Sequence, residues 1–205
     1  MQEHGSRAAK YNMGWFMETG VDGSMQLYDG RPEQTAGRLP QEIRTYDYLD
    51  RLGIRYQRTD HDRADTMEAC NVIDAVLGVV ICKNLFLCNR QKTAFYLLMM
   101  PGGKKFKTKE LSAQIGSSRL SFAEPEDMLR LLDIEPGAVS IMGLMNEVHH
   151  EVRLLIDEDV LRDEYIGCHP CVCTSSLKMK TRDITGVFLP ATGHAWKTVH
   201  LVGED

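Results

Sequence analysis

The sequence predicts a mixed α/β domain, and three observations carry that reading. Two apolar runs, Asn84-Leu-Phe-Leu-Cys88 and Phe95-Tyr-Leu-Leu-Met-Met100, have the length of strands and lack the polar alternation of a half-exposed sheet. Stretches with apolar residues three and four apart flank them, the spacing of a helix buried on one face. Strands and helices therefore interleave along the chain, as in sheets covered by helices. Hydrophobic residues make up 43% of the 205 residues and charged residues 26%, an ordinary composition for a chain with one core.

Residues 1–37 show no sustained period and are broken by Gly20, Gly23, Gly30, Pro32 and Gly37. They are read as an extension, with the domain over 38–205. Ile43, Tyr46, Leu49 and Leu52 then recur three apart ahead of Gly53, which predicts a helix from Gln41. Ile54-Arg-Tyr56 alternates like the start of a strand. Thr66 to Leu77 reads as a second helix, with Ala69, Val72, Ile73 and Val76 on one face. The polar stretch Asn89 to Thr93 joins the two apolar runs as a hairpin, and Pro101-Gly102-Gly103 ends the second. Thr108 is the expected cap of a helix that runs to Ile115 and stops at Gly116. Pro125 suits the first turn of another helix, with Met128, Leu129 and Leu132 inward. Glu135-Pro136-Gly137 is a turn. Val139 to Met145 and Val152 to Ile156 read as strands, and Cys168 to Lys180 as a loop and a further strand. Thr181 is the expected cap of a last helix, with Ile184, Val187 and Phe188 inward.

The formal net charge of −5 argues against a protein that wraps duplex nucleic acid. Local basic clusters remain: Lys104, Lys105, Lys107 and Lys109, then Lys178, Lys180 and Arg182. They suit either a solvated face or the guidance of a phosphate backbone. No apolar run reaches the roughly 18 residues of a membrane span, and Met1 to Gly23 lacks the apolar core of a secretory signal. The six cysteines are read as free thiols, and the chain as cytoplasmic.

Three places are able to carry chemistry. Lys83 heads an apolar strand, where its ammonium either reaches the solvated rim or anchors an anionic group. His169 stands in Gly167-Cys-His-Pro-Cys-Val-Cys173, where Pro170 restrains the preceding backbone to an extended form and so gives the imidazole a defined direction. The Gly137-Ala-Val-Ser140 turn has small residues whose N–H groups can approach a carbonyl or a water closely. Cys168, His169, Cys171 and Cys173 are zinc ligands by residue type, but no second cluster accompanies them, and no metal is expected.

Together these pieces resemble the YbaK and prolyl-tRNA-synthetase-associated editing domains, and among them the stand-alone Ala-tRNA(Pro) deacylases. The segments that carry the resemblance are His61 to Ala69, Lys83-Asn-Leu-Phe-Leu, Arg119-Leu-Ser-Phe-Ala, Pro136-Gly-Ala-Val-Ser, Gly143-Leu-Met-Asn146 and Gly167-Cys-His-Pro170. The resemblance implies a mixed sheet around a small pocket, and hydrolysis of a mischarged tRNA ester without a cofactor. It implies Lys83, His169 and the Gly137-Ala138 backbone as the catalytic set. Thr66, Asn84, Asn146 and Ser140 are the implied substrate-binding set. The expected partners are the 3′ aminoacyl end of a mischarged tRNA and prolyl-tRNA synthetase. Two positions depart from the family pattern: Ile141 stands for a proline and Cys173 for an asparagine. Other readings of the same residues are a non-catalytic tRNA-binding module, a deacylase for another ester such as Cys-tRNA(Pro), or a metal or redox protein.

Overall fold

The computed structural model describes residues 25–64 and 66–203, so residues 1–24 of the predicted extension lie outside it. Two sheets form. The first is antiparallel and orders β1 (Tyr28–Asp29), β2 (Tyr56–Asp60), β8 (Ser175–Lys180) and β7 (Tyr165–Cys168) as β1-β2-β8-β7. The second is mixed. It orders β5 (Leu120–Phe122), β3 (Lys83–Asn89), β4 (Phe95–Met100), β6 (Val152–Asp157) and β9 (Trp196–Val199) as β5-β3-β4-β6-β9. The β3–β4 and β3–β5 pairs are antiparallel, whereas β6 runs parallel to both β4 and β9. The helices α1 (Pro40–Arg51), α2 (Met67–Leu77), α3 (Thr108–Ile115), α4 (Pro125–Leu132) and α5 (Glu158–Arg162) connect and cover them.

The continuous apolar run of β4 has a physical reason. Phe95, Leu97 and Met99 join one buried cluster, and Tyr96, Leu98 and Met100 join another. Successive side chains of a strand point to opposite faces, so a strand covered on both faces has no polar position. Each buried aliphatic side chain contributes about 1.5–3 kcal/mol, so this strand anchors both layers.

The two sheets meet at the segment before β3. Ile81 forms a parallel bridge to Gly167, and the Cys82 N–H donates to the Gly167 carbonyl at 2.9 Å. The approach is close: a Cβ on Gly167 would lie 2.9 Å from the Ile81 Cα, and one on Gly102 would lie 2.4 Å from the Ile81 carbonyl oxygen. Only glycine fits on either side of this segment. Asp74 of α2 accepts the Ile81 N–H at 3.0 Å and fixes the segment from a third side.

Several elements differ from what the sequence pattern predicts. Val139–Met145 is not a strand: Ile141–Met145 is a 3-10 helix, started where Ser140 Oγ accepts the Met142 N–H. A fully buried apolar run has no exposed face, so its pattern does not distinguish helix from strand. In α4 Leu131 and Leu132 are buried while Leu129 is exposed. The residue before α3 is Lys107, not Thr108, and the one before the last helical segment is Lys180, not Thr181. Thr181 is buried and its hydroxyl donates to the Asp163 carbonyl at 2.5 Å. That last segment runs through Thr181–Asp183, a π turn at Ile184–Phe188, and Leu189–Thr192, with Ile184 and Phe188 buried and Val187 exposed. Within the predicted extension, Tyr28 and Asp29 pair with Arg58 and Gln57 of β2, and Arg31 donates to Asp47 of α1 at 2.7 Å.

Candidate active site

The Ile81–Gly167 bridge determines where the two main candidates lie. Lys83 and His169 each stand two residues beyond the bridge, on chains that run in the same direction. Lys83 heads β3, is exposed, and donates from Nζ to the Lys104 carbonyl at 2.9 Å. It lines a groove of about 630 Å3 with Leu85, Phe106, Lys107, Lys109 and Phe122. Phe106 and Phe122 meet edge to face with centroids 6.4 Å apart, and Phe122 is 58% exposed. Cationic heads around an exposed aromatic face suit a single-stranded nucleic-acid end, whose phosphates and bases each find a partner there.

Lys104, grouped in the sequence with Lys107 and Lys109, has another task. Its ammonium donates to Asp157 at 2.9 Å and to Asp159 at 2.7 Å, so it braces the end of β6.

His169 follows β7, and its backbone carbonyl accepts from Ser140 Oγ at 2.5 Å. That bond ties the predicted Gly137–Ser140 turn to the histidine. Its ring Nδ1 lies 3.0 Å from the Ser175 carbonyl and 3.3 Å from Ser176 Oγ. A second histidine, His61, completes the cluster from the end of β2. Its Nδ1 lies 2.8 Å from the Asp62 carbonyl and its Nε2 2.8 Å from Ser176 Oγ, and the two rings are 6.4 Å apart. A carbonyl oxygen only accepts, so each ring carries its proton on Nδ1 and its lone pair on Nε2. Ser176 then donates to His61 Nε2.

Burial lowers the pKa of both rings. For His61, the Asp62 carbonyl and the Asp60 and Asp62 carboxylates oppose that effect without overcoming it. For His169, burial and the neighbouring His61 lower the value while the Ser175 carbonyl opposes them. Both imidazoles are therefore neutral near pH 7, and the His169 Nε2 lone pair is able to take a proton.

A buried polar network supports this cluster from α1. The Tyr46 hydroxyl donates to Glu42 at 2.7 Å and lies 3.2 Å from Ser175 Oγ, and Arg38 joins Glu42 to Asp60. Gly137 has φ +90°, a conformation that side chains rarely adopt, and a Cβ there would lie 3.0 Å from a guanidinium nitrogen of Arg63. The Arg63 cation thus packs on the turn itself. The Ala138 N–H is taken by the Glu135 carbonyl at 3.1 Å.

The remaining predicted residues sit as follows. Ser140 is buried and joined to His169 as described. Asn84 donates to the Cys82 carbonyl at 3.2 Å, and its buried Oδ1 has no hydrogen-bond donor among the described residues. A buried acceptor without a donor is costly unless a ligand supplies one. Thr66 caps α2 by accepting the Ala69 N–H at 3.2 Å, which leaves its hydroxyl proton to donate. Asn146 donates to the Leu132 carbonyl at 2.8 Å and faces the end of α4, with Oδ1 left as an acceptor. Ile141 is fully buried at the start of the 3-10 helix, and Cys173 is half-buried. Cys168, His169, Cys171 and Cys173 do not converge as a metal-ligating group among the described residues. Burial pushes the Cys82 and Cys171 thiols up to about 12 and Cys168 higher still, so none is a thiolate nucleophile at neutral pH.

His61, Arg63, Ser175 and Ser176 are the residues that sequence reasoning left without a role. His61 and Arg63 follow the end of β2, and Ser175 and Ser176 open β8, so all four lie where a strand meets a loop. That is where loops carry function.

Known proteins agree with this architecture. The sequence model of the aminoacyl-tRNA editing domain matches residues 61–186. A prolyl-tRNA editing protein, ProX, of Acetoanaerobium sticklandii is 30% identical over 153 residues, which is 75% of this chain and 93% of that protein. The prolyl-tRNA synthetase associated domain-containing protein 1 of Xenopus laevis is 28% identical over 169 residues, 80% of this chain and 98% of that one. A solved candidate trans-editing enzyme for prolyl-tRNA synthetase superposes with a TM-score of 0.60 at 16% identity, over 82% of this chain and 99% of the other, and so shares the fold. The matched residues begin at His61 and enclose Lys83, Gly137, Ser140 and His169, and the chain belongs to the aminoacyl-tRNA editing domain family.

Proposed function

We propose that this chain hydrolyses the ester of a proline tRNA that carries alanine, acting in trans in the cytoplasm after prolyl-tRNA synthetase has made the error. The observation that supports the reading is the pairing at Ile81–Gly167: an exposed lysine and a neutral, oriented histidine each follow that one bridge by two residues. Membership of an editing family and the editing relative at 30% identity support the reaction class.

Lys83 holds the last phosphate or the terminal adenosine. Lys107 and Lys109 attract the preceding phosphates, and Phe106 and Phe122 offer a face to a base. Asn84 Oδ1 accepts from the ribose hydroxyl or the α-ammonium group. Thr66 and Asn146 border the amino-acid side chain through the polar atoms that their structural bonds leave over.

An aminoacyl ester is already activated, so an oriented water and a stabilised oxyanion suffice. The water oxygen attacks the ester carbonyl carbon while His169 Nε2 takes its proton. Negative charge collects on the carbonyl oxygen beside the Gly137 turn, where the Arg63 guanidinium stabilises it. The bond to the ribose oxygen then breaks, and His169 returns the proton to that oxygen. Selectivity against proline follows from ring volume, because excluding a larger group by contact discriminates better than the roughly 1–3 kcal/mol that one methylene contributes to binding. A deacylation assay on proline tRNA charged in turn with alanine, cysteine, serine and proline tests the reading. The alanyl ester is expected to be cut fastest and the prolyl ester to survive.

A further inference from the structure

A second histidine pair lies outside this site. Glu147 follows the 3-10 helix, His150 precedes β6, and His194 follows the last helical segment, yet their ligand atoms all lie within 4.8 Å of one another. We propose that Glu147, His150 and His194 form a binding site for a divalent ion of the zinc, cobalt or nickel class. The site would clip the loop before β6 to the turn before β9.

Two of the three ligands are already held in place. The Glu147 side chain is buried, and its carboxylate accepts the N–H groups of His149 at 3.0 Å, Glu151 at 3.2 Å and Val152 at 3.3 Å. His194 is also buried, and its Nδ1 lies 3.1 Å from Thr192 Oγ1. Orientation through the other ring nitrogen is how metal-ligating histidines are usually fixed. His194 Nε2 and Glu147 Oε2 are 3.0 Å apart. Two ligands at ordinary zinc distances of about 2.0–2.2 Å stand about 3–3.5 Å apart, so this edge fits one ion between them.

His150 supplies the third corner. Its ring meets that of His194 edge to face at 4.9 Å. Its backbone has φ +56°, which a histidine adopts more readily than most residues but still uncommonly. Gly193 makes room for it: a Cβ there would lie 2.9 Å from His150 Cε1 and 3.4 Å from Nε2. His150 is exposed, so an ion has a path in and water can fill the remaining coordination positions. Two imidazoles and one carboxylate select borderline transition ions over magnesium or calcium, which take oxygen ligands.

The test is a titration of the full, chelator-stripped chain with Co2+, followed by visible absorption, with Zn2+ measured in competition. The wild-type protein should bind one Co2+ per chain, with ligand-field bands and no thiolate charge-transfer band. His150→Asn should weaken binding at least tenfold, because asparagine tolerates the same backbone conformation while removing the imidazole. Cys173→Ser should bind as the wild type does, and Zn2+ just sufficient to fill the wild-type site should raise the melting temperature of the wild type more than that of His150→Asn. Absence of stoichiometric binding, equal affinity in His150→Asn, or a thiolate band lost in Cys173→Ser would each overturn the proposal.

Discussion

Two paired-histidine clusters stand among the described residues, and they differ in the oxygen that each pair faces. His61 and His169 share the Ser176 hydroxyl and donate to the backbone carbonyls of Asp62 and Ser175. His150 and His194 face the Glu147 carboxylate. Neutral acceptors combined with burial keep the first pair uncharged and leave a lone pair for chemistry. A buried carboxylate held by three backbone N–H groups instead offers a fixed negative ligand to a metal ion. If the two proposals hold, the same residue type serves proton transfer in one place and cation holding in the other, and substitutions in the two places should separate cleanly.

The largest expected effect is on the first cluster's neighbour. Lys83→Ala should lower kcat/KM for Ala-tRNA(Pro) by about 100-fold or more, the scale of losing one oriented electrostatic contact. Its melting temperature should match the wild type, since the side chain is exposed and, among the described residues, bonds only to the Lys104 carbonyl. Steady-state deacylation measured beside thermal melting checks both halves. Turnover near the wild-type level would remove Lys83 from the mechanism.

His169→Ala should follow with a loss of about 100-fold in turnover, within the range of a removed general base. The accompanying stability loss should be about 1 kcal/mol, from the lost bond to the Ser175 carbonyl. A purely structural histidine would give the opposite pattern: a lower melting temperature and unchanged turnover of the folded fraction.

His194→Ala is the matching substitution in the second cluster. It leaves the buried Glu147 carboxylate without its side-chain donor and should cost about 2 kcal/mol by denaturant unfolding. Specific activity of the folded protein should not change. A fall in turnover comparable to that of His169→Ala would mean that the two clusters are not separate.

How much of this was legible in the sequence depended on whether a residue's partners lie in its own segment. The β3–β4 hairpin and helices α1 and α2 follow from local period, with α1 also marked by the stop at Gly53. Lys83 and His169 stood out because a cation at a strand head and a histidine before proline are unusual locally. The 3-10 helix did not, because Ile141, Met142 and Leu144 are buried on all sides and their pattern has no polar face. Strands β5, β7 and β9 have three or four residues of weak alternation and exist through their neighbours. His61 and Ser176 lie 115 positions apart, and Glu147 and His194 lie 47 apart, so only the fold brings either pair together.

The smallest expected effect is on pH dependence, and its sign follows from the lowered pKa values. Unfolded histidine titrates near 6.5, so between that value and the lower folded values the unfolded chain binds more protons at His61 and His169. Stability from this source is complete above pH 6.5 and is lost as pH falls through the folded values, by at most about 1.4 kcal/mol per pH unit for each ring. Urea unfolding from pH 7.5 to 5 should show the decline in the wild type, and a smaller one in His169→Gln.

The central claim is tested most directly by single-turnover hydrolysis of proline tRNA charged with radiolabelled alanine or proline, in wild type and His169→Ala on the same preparation. Rapid release of alanine by the wild type, an intact prolyl ester, and release slowed about 100-fold in the variant are expected. Alanine release at the spontaneous rate with wild-type protein, or equal rates in the two proteins, would contradict that claim.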